Sequence, residues 1–373
     1  MNNMDNNELL IIGNGFDLSL GLRTTYQNFF EKRYENKLLG SLIYYIENET
    51  QSSLNTCVFE LRKIPNVNFW DIFFILKYVQ SENIDKNWSN IEEEIKIFLT
   101  HDEIGESLGK KSLKNCLDHF SKKNLSEAMK LEYSRYALML LQFIKKFTGL
   151  NSDNLDHFLN SELIIFEGVF AEYINNEVRN NDQYEKKSEQ LIELLVSDVT
   201  KSSILSFNYT ELKHKDLISI ENVHGKSNQK IIFGIDYKNL DYNSEEYKYS
   251  KTYRKLLTNV SNNDHEALPN DIKKIKFYGH SLSDADYSYF QSIFDYYSIY
   301  NGVVDVEFFF NVYDEKNRAS ILNNQLTAVT SLLSIYGETM SNEDHGKNLI
   351  HKLLLENRIR ITEIDSTGNL ANP

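Results

Sequence analysis

The chain has 373 residues, of which 41% are hydrophobic and 25% are charged. This composition suits one large core or two smaller ones and does not suit a disordered chain. The formal net charge of −14 argues against extended, non-specific nucleic-acid binding, because an acidic protein repels phosphate backbones. The two cysteines, Cys57 and Cys116, stand far apart and support neither a disulfide framework nor a cysteine-based zinc site.

The amino-terminal segment predicts a buried strand. Residues 1–8 are polar and acidic, unlike a secretory signal, and the apolar run over residues 9–12 is far too short to span a bilayer. We therefore expect a cytoplasmic protein with no membrane partner. A short apolar run that ends at a glycine, here Gly13, is typical of a strand buried on both faces in a parallel sheet.

A long region of helical periodicity follows this strand. Apolar residues at spacings of three and four predict helices over residues 25–33, 71–80, 88–99, 125–147, 153–178 and 190–199. The third of these helices starts with Ser89 followed three places later by Glu92, which is the pattern of a capping box. The region is therefore expected to be an α-helical insertion.

Strand-like runs cluster in the second half of the chain. Predicted strands cover residues 203–207, 218–223, 230–235, 274–278, 303–310 and 357–364, with helices over 247–257, 283–297 and 315–333. This order predicts an α/β fold with a doubly wound, mostly parallel sheet and a large helical insertion after its first strand and helix. We expect the nucleotide-binding core over residues 1–35 and 200–365, the insertion over 36–199, and a loose tail over 366–373.

The first candidate site is the loop Gly13-Asn14-Gly15-Phe16-Asp17, which joins the first strand to a helical stretch. Glycines at this point allow a tight turn and a close approach of the backbone to a ligand phosphate. The full three-glycine dinucleotide pattern is absent, because position 18 is Leu18. A plain strand–helix turn is the alternative interpretation.

Two further predicted strands end in residues able to contact a ligand. Asn208 follows one strand, and His224 with Gly225 follows the next. Ligands of open α/β sheets lie outside the carboxyl ends of the strands, and histidine is suited to proton transfer near neutral pH. Taken singly, a turn-forming asparagine and a structural histidine are the simpler interpretations of these residues.

The segment Gly279-His280-Ser281 follows another predicted strand and leads into a helix. Ser281 is suited to bonding a ribose hydroxyl or a phosphate. His280, Asp284 and Asp286 form a candidate metal-ligand set. We favour helix capping for the two aspartates, because their spacing matches a helix start. If the sheet is parallel, all four strand ends meet at one edge.

These motifs together resemble the AbiH-like abortive-infection family of bacterial anti-phage proteins. The resemblance rests on residues 12–17 with 22–26 and Phe29, on 88–92, on 206–210, on 223–225 and on 278–286. It implies a role in defence against bacteriophage. It covers segments from near residue 9 to near residue 290 and only loosely covers the helical insertion.

The order of the motifs is in turn similar to that of the sirtuin-like NAD-binding fold. By this resemblance the loop at Gly13 holds the pyrophosphate of NAD+, while Asn208 and His224 flank the nicotinamide ribose as the catalytic pair. The sirtuin zinc cysteines are missing, which counts against a protein deacetylase, and Thr210 stands where sirtuins have an aspartate. Asp17 is expected to take over part of that aspartate's role. The full set of implied nucleotide-binding residues is Gly13, Asn14, Gly15, Phe16, Asp17, Thr25, Tyr26, Thr210, Gly225, Gly279, His280, Ser281, Asp284 and Asp286.

Three functions follow as hypotheses. The first is an NAD+ hydrolase that cleaves the nicotinamide–ribose bond and needs no metal. The second is a non-catalytic NAD or ADP-ribose sensor that gates a partner, and the third is a metal-dependent nuclease or phosphohydrolase. By analogy, we also expect a homo-oligomer and a phage-derived trigger or partner protein.

Overall fold

A computed structural model describes residues 7–34, 59–81, 91–100, 109–120, 152–236, 240–259 and 267–364. Its centre is a six-stranded sheet with strand order β3-β2-β1-β4-β5-β6, and every pairing between these strands is parallel. From β1 to β3 successive strands are added on one side of β1, and from β4 to β6 on its other side, as in doubly wound folds. The strands are β1 (Asn7–Ile12), β2 (Ser202–Ser206), β3 (Ser219–Asn222), β4 (Ile272–Tyr278), β5 (Asp305–Asn311) and β6 (Ile359–Ile364).

Helices flank this sheet and also form most of a second region. The predicted α/β architecture with a helical region is confirmed, whereas the sirtuin-like relationship stays a prediction. The helices are α1 (Asn14–Ser19), α2 (Tyr26–Arg33), α3 (Phe69–Ser81), α4 (Ile91–Thr100), α5 (Lys110–Phe120), α6 (Leu155–Arg179), α7 (Tyr184–Leu195), α8 (Lys251–Asn259), α9 (Tyr287–Tyr296), α10 (Arg318–Glu338) and α11 (Glu343–Leu355).

The central strand β1 is buried on both faces. Its residues 9–12 have no solvent exposure, and alternate side chains enter different apolar clusters. Leu9 and Ile11 pack in a cluster that contains residues of α9, α10 and α11, whereas Leu10 and Ile12 pack in a cluster that contains residues of α1 and α7. The continuous apolar run therefore forms a strand because both of its faces are covered by helices.

The chain divides into two compact units, each described by itself. The sheet unit takes its described residues from the ranges 1–24, 174–231 and 258–373, and the helical unit from 25–173 and 232–257. Residues 174–199, which the sequence assigns to the insertion, thus group with the sheet. Residues 232–257, which the sequence assigns to the core, group with the helices.

The helical unit has an aromatic core. The ring of Phe29 lies 5.7 Å from that of Phe166, 5.0 Å from that of Phe170 and 5.4 Å from that of Tyr173, measured between centroids. Near-perpendicular rings at such distances contribute beyond the area that they bury. Among the described helices of both units, none combines the length and the apolarity needed to cross a membrane.

The strand predicted over residues 230–235 is wrong. This run makes isolated bridges instead of a sheet ladder. It is apolar because Phe233 is fully buried in the helical unit, where side chains satisfy its backbone. The Phe233 N–H donates to Glu167 at 2.7 Å, and Arg254 donates to the Phe233 carbonyl. A buried backbone that finds side-chain partners needs no neighbouring strand.

Of the helices that the structure describes, α5 and α11 are absent from the sequence prediction, and α10 continues five residues beyond the predicted end. The helix predicted over 125–147, Ser89 of the capping box and the tail over 366–373 lie outside the described residues.

Candidate functional site

The segments that follow β1, β2, β3 and β4 begin side by side at one edge of the sheet. Register pairs Ile12 with both Ser206 and Tyr278, so these strands end at the same level. The Gly13 N–H donates to the Tyr278 carbonyl at 3.1 Å, and the Phe207 N–H donates to the Ile12 carbonyl at 2.9 Å. This edge contains the switch point between β1 and β4, where ligands of doubly wound sheets bind.

The glycines allow two loops to pack backbone against backbone. The Gly15 N–H donates to the Gly279 carbonyl at 2.7 Å, and a Cβ added at Gly279 would lie 2.3 Å from the nitrogen of Phe16. Gly279 also has a φ of +69°, in the left-handed region that side chains disfavour. These glycines therefore join the β1 loop to the β4 loop.

The phosphate role predicted for the Gly13 loop stays a prediction. The amides of Gly13, Gly15 and Phe16 all donate to protein carbonyls, the last to Gly13 at 2.9 Å. Asn14 is exposed, and its Oδ1 accepts a hydrogen bond from Thr24 at 2.6 Å. A phosphate at this loop would therefore rely on Asn14 rather than on those three amides.

Asp17 is a buried carboxyl at this edge, with 1% of its surface exposed. Its Oδ1 accepts from the hydroxyl of Tyr184 at 2.6 Å, and its Oδ2 accepts from that of Thr210 at 3.0 Å. Burial raises the pKa of Asp17 to about 6, against the opposing effect of hydrogen bonds from Tyr184 and Thr210 and of the nearby Asn208 side chain. A carboxyl in this range exchanges its proton near neutral pH.

Asn208 carries a buried amide without a satisfied hydrogen bond. Its side chain lies close enough to Asp17 to lower the pKa of that carboxyl, but neither Nδ2 nor Oδ1 reaches hydrogen-bond geometry with any described residue. Only 3% of Asn208 is exposed. Asn222 fixes the backbone here, because its Nδ2 donates to the Asn208 carbonyl at 2.8 Å and to the Thr210 carbonyl at 3.0 Å. An unsatisfied buried amide is costly and points to a ligand or an ordered water.

His224 and His280 share one carboxylate. The Nε2 atom of His224 lies 3.0 Å from Oδ1 of Asp286, and Nε2 of His280 lies 3.4 Å from Oδ2 of the same side chain. Asp286 occupies the N-cap position of α9, as the sequence predicts, but its side chain makes no capping hydrogen bond. The capping role predicted for this carboxylate is therefore wrong, since the carboxylate contacts the two imidazoles instead.

Aromatic rings enclose both histidines. The ring of Phe207 lies 5.5 Å from His224 and 4.8 Å from His280, both edge to face. Tyr289 lies 5.5 Å from His224, and Phe290 lies 4.9 Å from His280. These rings restrict the orientation of the two imidazoles, whose side chains are each only 5% exposed.

The remaining predicted residues divide between the two units. Gly225 has a φ of +82° and turns the chain after β3, while Ser281 is exposed beside His280. Asp284 lies in a single helical turn, Asp284–Asp286, and its side chain is outside the described residues. Thr25 and Tyr26 belong to the helical unit. There the Thr25 hydroxyl accepts from the Asn28 N–H at 3.1 Å and caps α2.

Tyr26 packs within the helical unit, with its ring 5.4 Å from that of Phe170. The sequence prediction omitted Tyr184 and Asn222. Asn222 carries the same signal as Asn208, a polar residue at the end of a strand, whereas nothing local indicates that Tyr184 contacts Asp17. Among the described residues, no group of three histidine, cysteine, aspartate or glutamate side chains has the arrangement of a metal site.

A comparison with curated protein sequences gave no match. The family described as Bacteriophage abortive infection AbiH matches residues 9–308. The matched range includes the Gly13 loop, Asn208, His224 and the segment from Gly279 to Asp286. The chain therefore belongs to the AbiH family, and its biological role is in abortive infection, a response to bacteriophage.

Proposed function

We propose that the protein is an NAD+ hydrolase that cleaves the bond between nicotinamide and ribose. One observation carries the proposal: Asn208 holds a buried, unsatisfied amide at the sheet edge where doubly wound proteins bind nucleotides. The His224–Asp286 pair lies at the same edge and supplies a group for proton transfer. The residues that the sirtuin-like resemblance assigns to the catalytic pair thus occur at one edge of one sheet.

Cleavage of the nicotinamide–ribose bond needs little general-acid catalysis from the protein. As the C–N bond breaks, its electron pair moves to the ring nitrogen, and nicotinamide leaves as a neutral molecule. A water oxygen forms the new bond to the ribose carbon, which carries positive charge in the transition state. The products are nicotinamide, ADP-ribose and one proton.

In this mechanism Asn208 orients the ribose hydroxyls and the attacking water. Neither its Nδ2 nor its Oδ1 makes a hydrogen bond of normal geometry with a described residue, so both atoms can bond to a ligand. His224 accepts the proton that the water loses, a contribution of typically ~10²–10⁴-fold for a positioned general base. The rings of Phe207 and Tyr289 form apolar walls, which by themselves disfavour a positively charged sugar. The negative charge of Asp286 stabilises that sugar, and its effect is stronger in such apolar surroundings.

Asp17 is the residue proposed to contact the nicotinamide group. It stands in the network in which Thr210 replaces the sirtuin aspartate, and Thr210 donates directly to it. Its pKa of about 6 lets the carboxyl act as donor or acceptor near neutral pH. Loss of NAD+ would stop an infected cell from supporting phage growth, which fits the family's role in abortive infection.

The test is nicotinamide release by the purified full-length protein supplied with NAD+, with and without lysate from phage-infected cells. Asn208→Ala and His224→Gln are the test variants. Asn324→Ala and His351→Gln are matched controls, because these residues are exposed on α10 and α11. We expect release by the wild type and by both controls, and loss in both test variants. No release under either condition, or full rates in both test variants, would contradict the hydrolase.

A nucleotide sensor is the second candidate. It is favoured by one observation, namely that His224 is only 4% exposed and is enclosed by aromatic rings. A site with little access to water suits binding better than hydrolysis. Calorimetry that detects NAD+ or ADP-ribose binding, with the ligand recovered intact, would favour the sensor over the hydrolase.

A further inference from the structure

The geometry points to Asp286 as a positioning residue that holds His224 with its proton on Nε2, so that Nδ1 is the atom that accepts a proton. The role of Nδ1 as the proton acceptor in catalysis rests on the proposed hydrolase, whereas the position of the proton on Nε2 does not. The inference starts from the 3.0 Å contact between His224 Nε2 and Asp286 Oδ1.

The second histidine fixes the role of the carboxylate. The Leu282 N–H donates to Nδ1 of His280 at 2.9 Å, so this nitrogen presents its lone pair and carries no proton. The proton of His280 must then be on Nε2, which lies 3.4 Å from Oδ2 of Asp286. Asp286 therefore faces an N–H group with one of its two oxygens.

The same reasoning extends to His224. An ionised carboxylate has no hydrogen to donate, so a nitrogen at 3.0 Å from it must carry the proton of the bond. In the neutral imidazole of His224 the proton is thus on Nε2, and Nδ1 has its lone pair. When Nδ1 accepts a proton, the nearby carboxylate stabilises the imidazolium that forms.

The loop around the cluster has an unusual conformation. Leu282 is a buried residue with a φ of +56°, a backbone conformation that is energetically unfavourable for residues with a Cβ. This conformation directs the Leu282 N–H back to His280. The Asp286 side chain in turn makes no capping hydrogen bond to α9 and contacts the two histidines instead. Both are local costs at a functional edge, as expected where a site is held in one arrangement.

Further groups line His224. The ring of Tyr209 lies 6.4 Å from the imidazole and that of Tyr289 lies 5.5 Å from it, so these two phenols join Asp286 and His280 among the described titratable groups beside His224. Phe207 adds an apolar wall. Asp286 is the carboxylate in this set, and the position of the His224 proton should therefore depend on it.

Nitrogen NMR on the full-length protein labelled with ¹⁵N in histidine tests this inference directly. Comparison with the His224→Gln spectrum assigns the two His224 nitrogen signals. We expect a protonated Nε2 and an unprotonated Nδ1 at neutral pH. A proton on Nδ1, alone or together with one on Nε2, would overturn the inference without any variant of Asp286.

Asp286→Asn provides the second readout, with Asp182→Asn at an exposed loop position as its matched control. The two histidines face different oxygens of Asp286, and asparagine replaces one of these oxygens with an NH2 donor. We expect the His224 proton to redistribute between Nε2 and Nδ1, and kcat for nicotinamide release to fall by about 10²–10⁴-fold with KM unchanged. An unaltered His224 signal in folded Asp286→Asn would contradict the positioning role.

The two proposals fail in different ways. If the wild type releases no nicotinamide but His224 has its proton on Nε2 and loses that preference in Asp286→Asn, then the hydrolase fails and the positioning role stands. If nicotinamide is released but His224 carries its proton on Nδ1, then the positioning role fails and the hydrolase stands.

Discussion

The hydroxyl of Thr210 donates to the carboxylate of Asp17, with its oxygen 3.0 Å from Oδ2 and 3.2 Å from Oδ1. This bond links the loop after β2 to the short helix after β1. Tyr184 donates to the same carboxylate from the start of α7. Asp17, on α1, is thus hydrogen-bonded by two other segments of the chain, the loop after β2 and the start of α7.

We predict that Asp17 makes the free energy of unfolding fall as pH rises from about 4 to about 6. Its pKa is about 6 in the folded protein and 3.8 when unperturbed, so the folded state binds more protons in this window. The carboxyl is almost fully buried, and the shift corresponds to about 3 kcal/mol lost by neutral pH. Urea unfolding of wild type and Asp17→Asn across this window measures the effect.

Asp17→Asn keeps the shape of the side chain and removes its titration. The variant should gain stability relative to the wild type as pH rises through the window, and the difference should be constant above it. Asp182→Asn, at an exposed position, is the matched control. Parallel pH profiles for wild type and Asp17→Asn would contradict the raised pKa.

Gly279→Ala should destabilise the protein by about 2–4 kcal/mol, from the left-handed conformation and the collision of the new methyl group with the β1 loop. The added Cβ would lie 2.3 Å from the Phe16 nitrogen and 2.7 Å from the Gly15 carbonyl carbon. Denaturant unfolding measures the loss.

Gly21→Ala is the matched control for this prediction. Gly21 has a φ of +86°, but a Cβ there would meet no atom within 4 Å. The control therefore reports the conformational cost alone, about 1–2 kcal/mol. Equal losses in the two variants would mean that the two loops do not pack as closely as described.

Replacement of Asn208 by leucine should separate stability from function. The buried amide has no described hydrogen-bond partner, so an apolar side chain of similar size removes a desolvation cost of about 1–3 kcal/mol. We expect Asn208→Leu to unfold at a higher denaturant concentration than the wild type and to lose NAD+ binding. A less stable Asn208→Leu protein would show that the amide is satisfied within the fold.

The fourth prediction concerns the ion pair between Lys276 and Glu8. The Lys276 Nζ lies 2.9 Å from Glu8 Oε2 and 2.9 Å from the Leu195 carbonyl, and both side chains are buried. Lys276→Met leaves the carboxylate unpaired and should cost about 3–5 kcal/mol. The double variant with Glu8→Gln should recover much of that loss in denaturant unfolding, and simple additivity would contradict a coupled pair.

Much of the sheet edge could be predicted from the sequence. The apolar run over residues 9–12 and the polar residues after later strands are strong local signals, and parallel pairing then brings Gly13, Asn208, His224 and Gly279 to one edge. Asp286 was predicted as a cap because its position is that of a cap. Its contact with two histidines depends on loops that are distant in sequence, and no local pattern reports such a contact.

Other features depend on tertiary partners. The run over residues 230–235 has the composition of a strand, but Glu167 and Arg254 satisfy the backbone of Phe233 from other elements. The helix α11 does have a local signal, since Asn342 caps it by accepting from the Asp344 and His345 amides at 3.1 Å. The apolar residues of α11 form only a moderate stripe in the sequence. The burial of Leu349 and Leu353 is evident only in the fold.

The position of β1 in the middle of the sheet has a consequence for synthesis on the ribosome. Leu9 pairs with Ser203 on one side and with Ile275 on the other, so β1 must wait for partners that are synthesised much later. The Gly13 loop contacts Gly279, and His224 contacts Asp286, only after the chain has been made beyond Asp286. A nascent chain that stops before Asp286 therefore lacks the assembled edge and whatever activity this edge has.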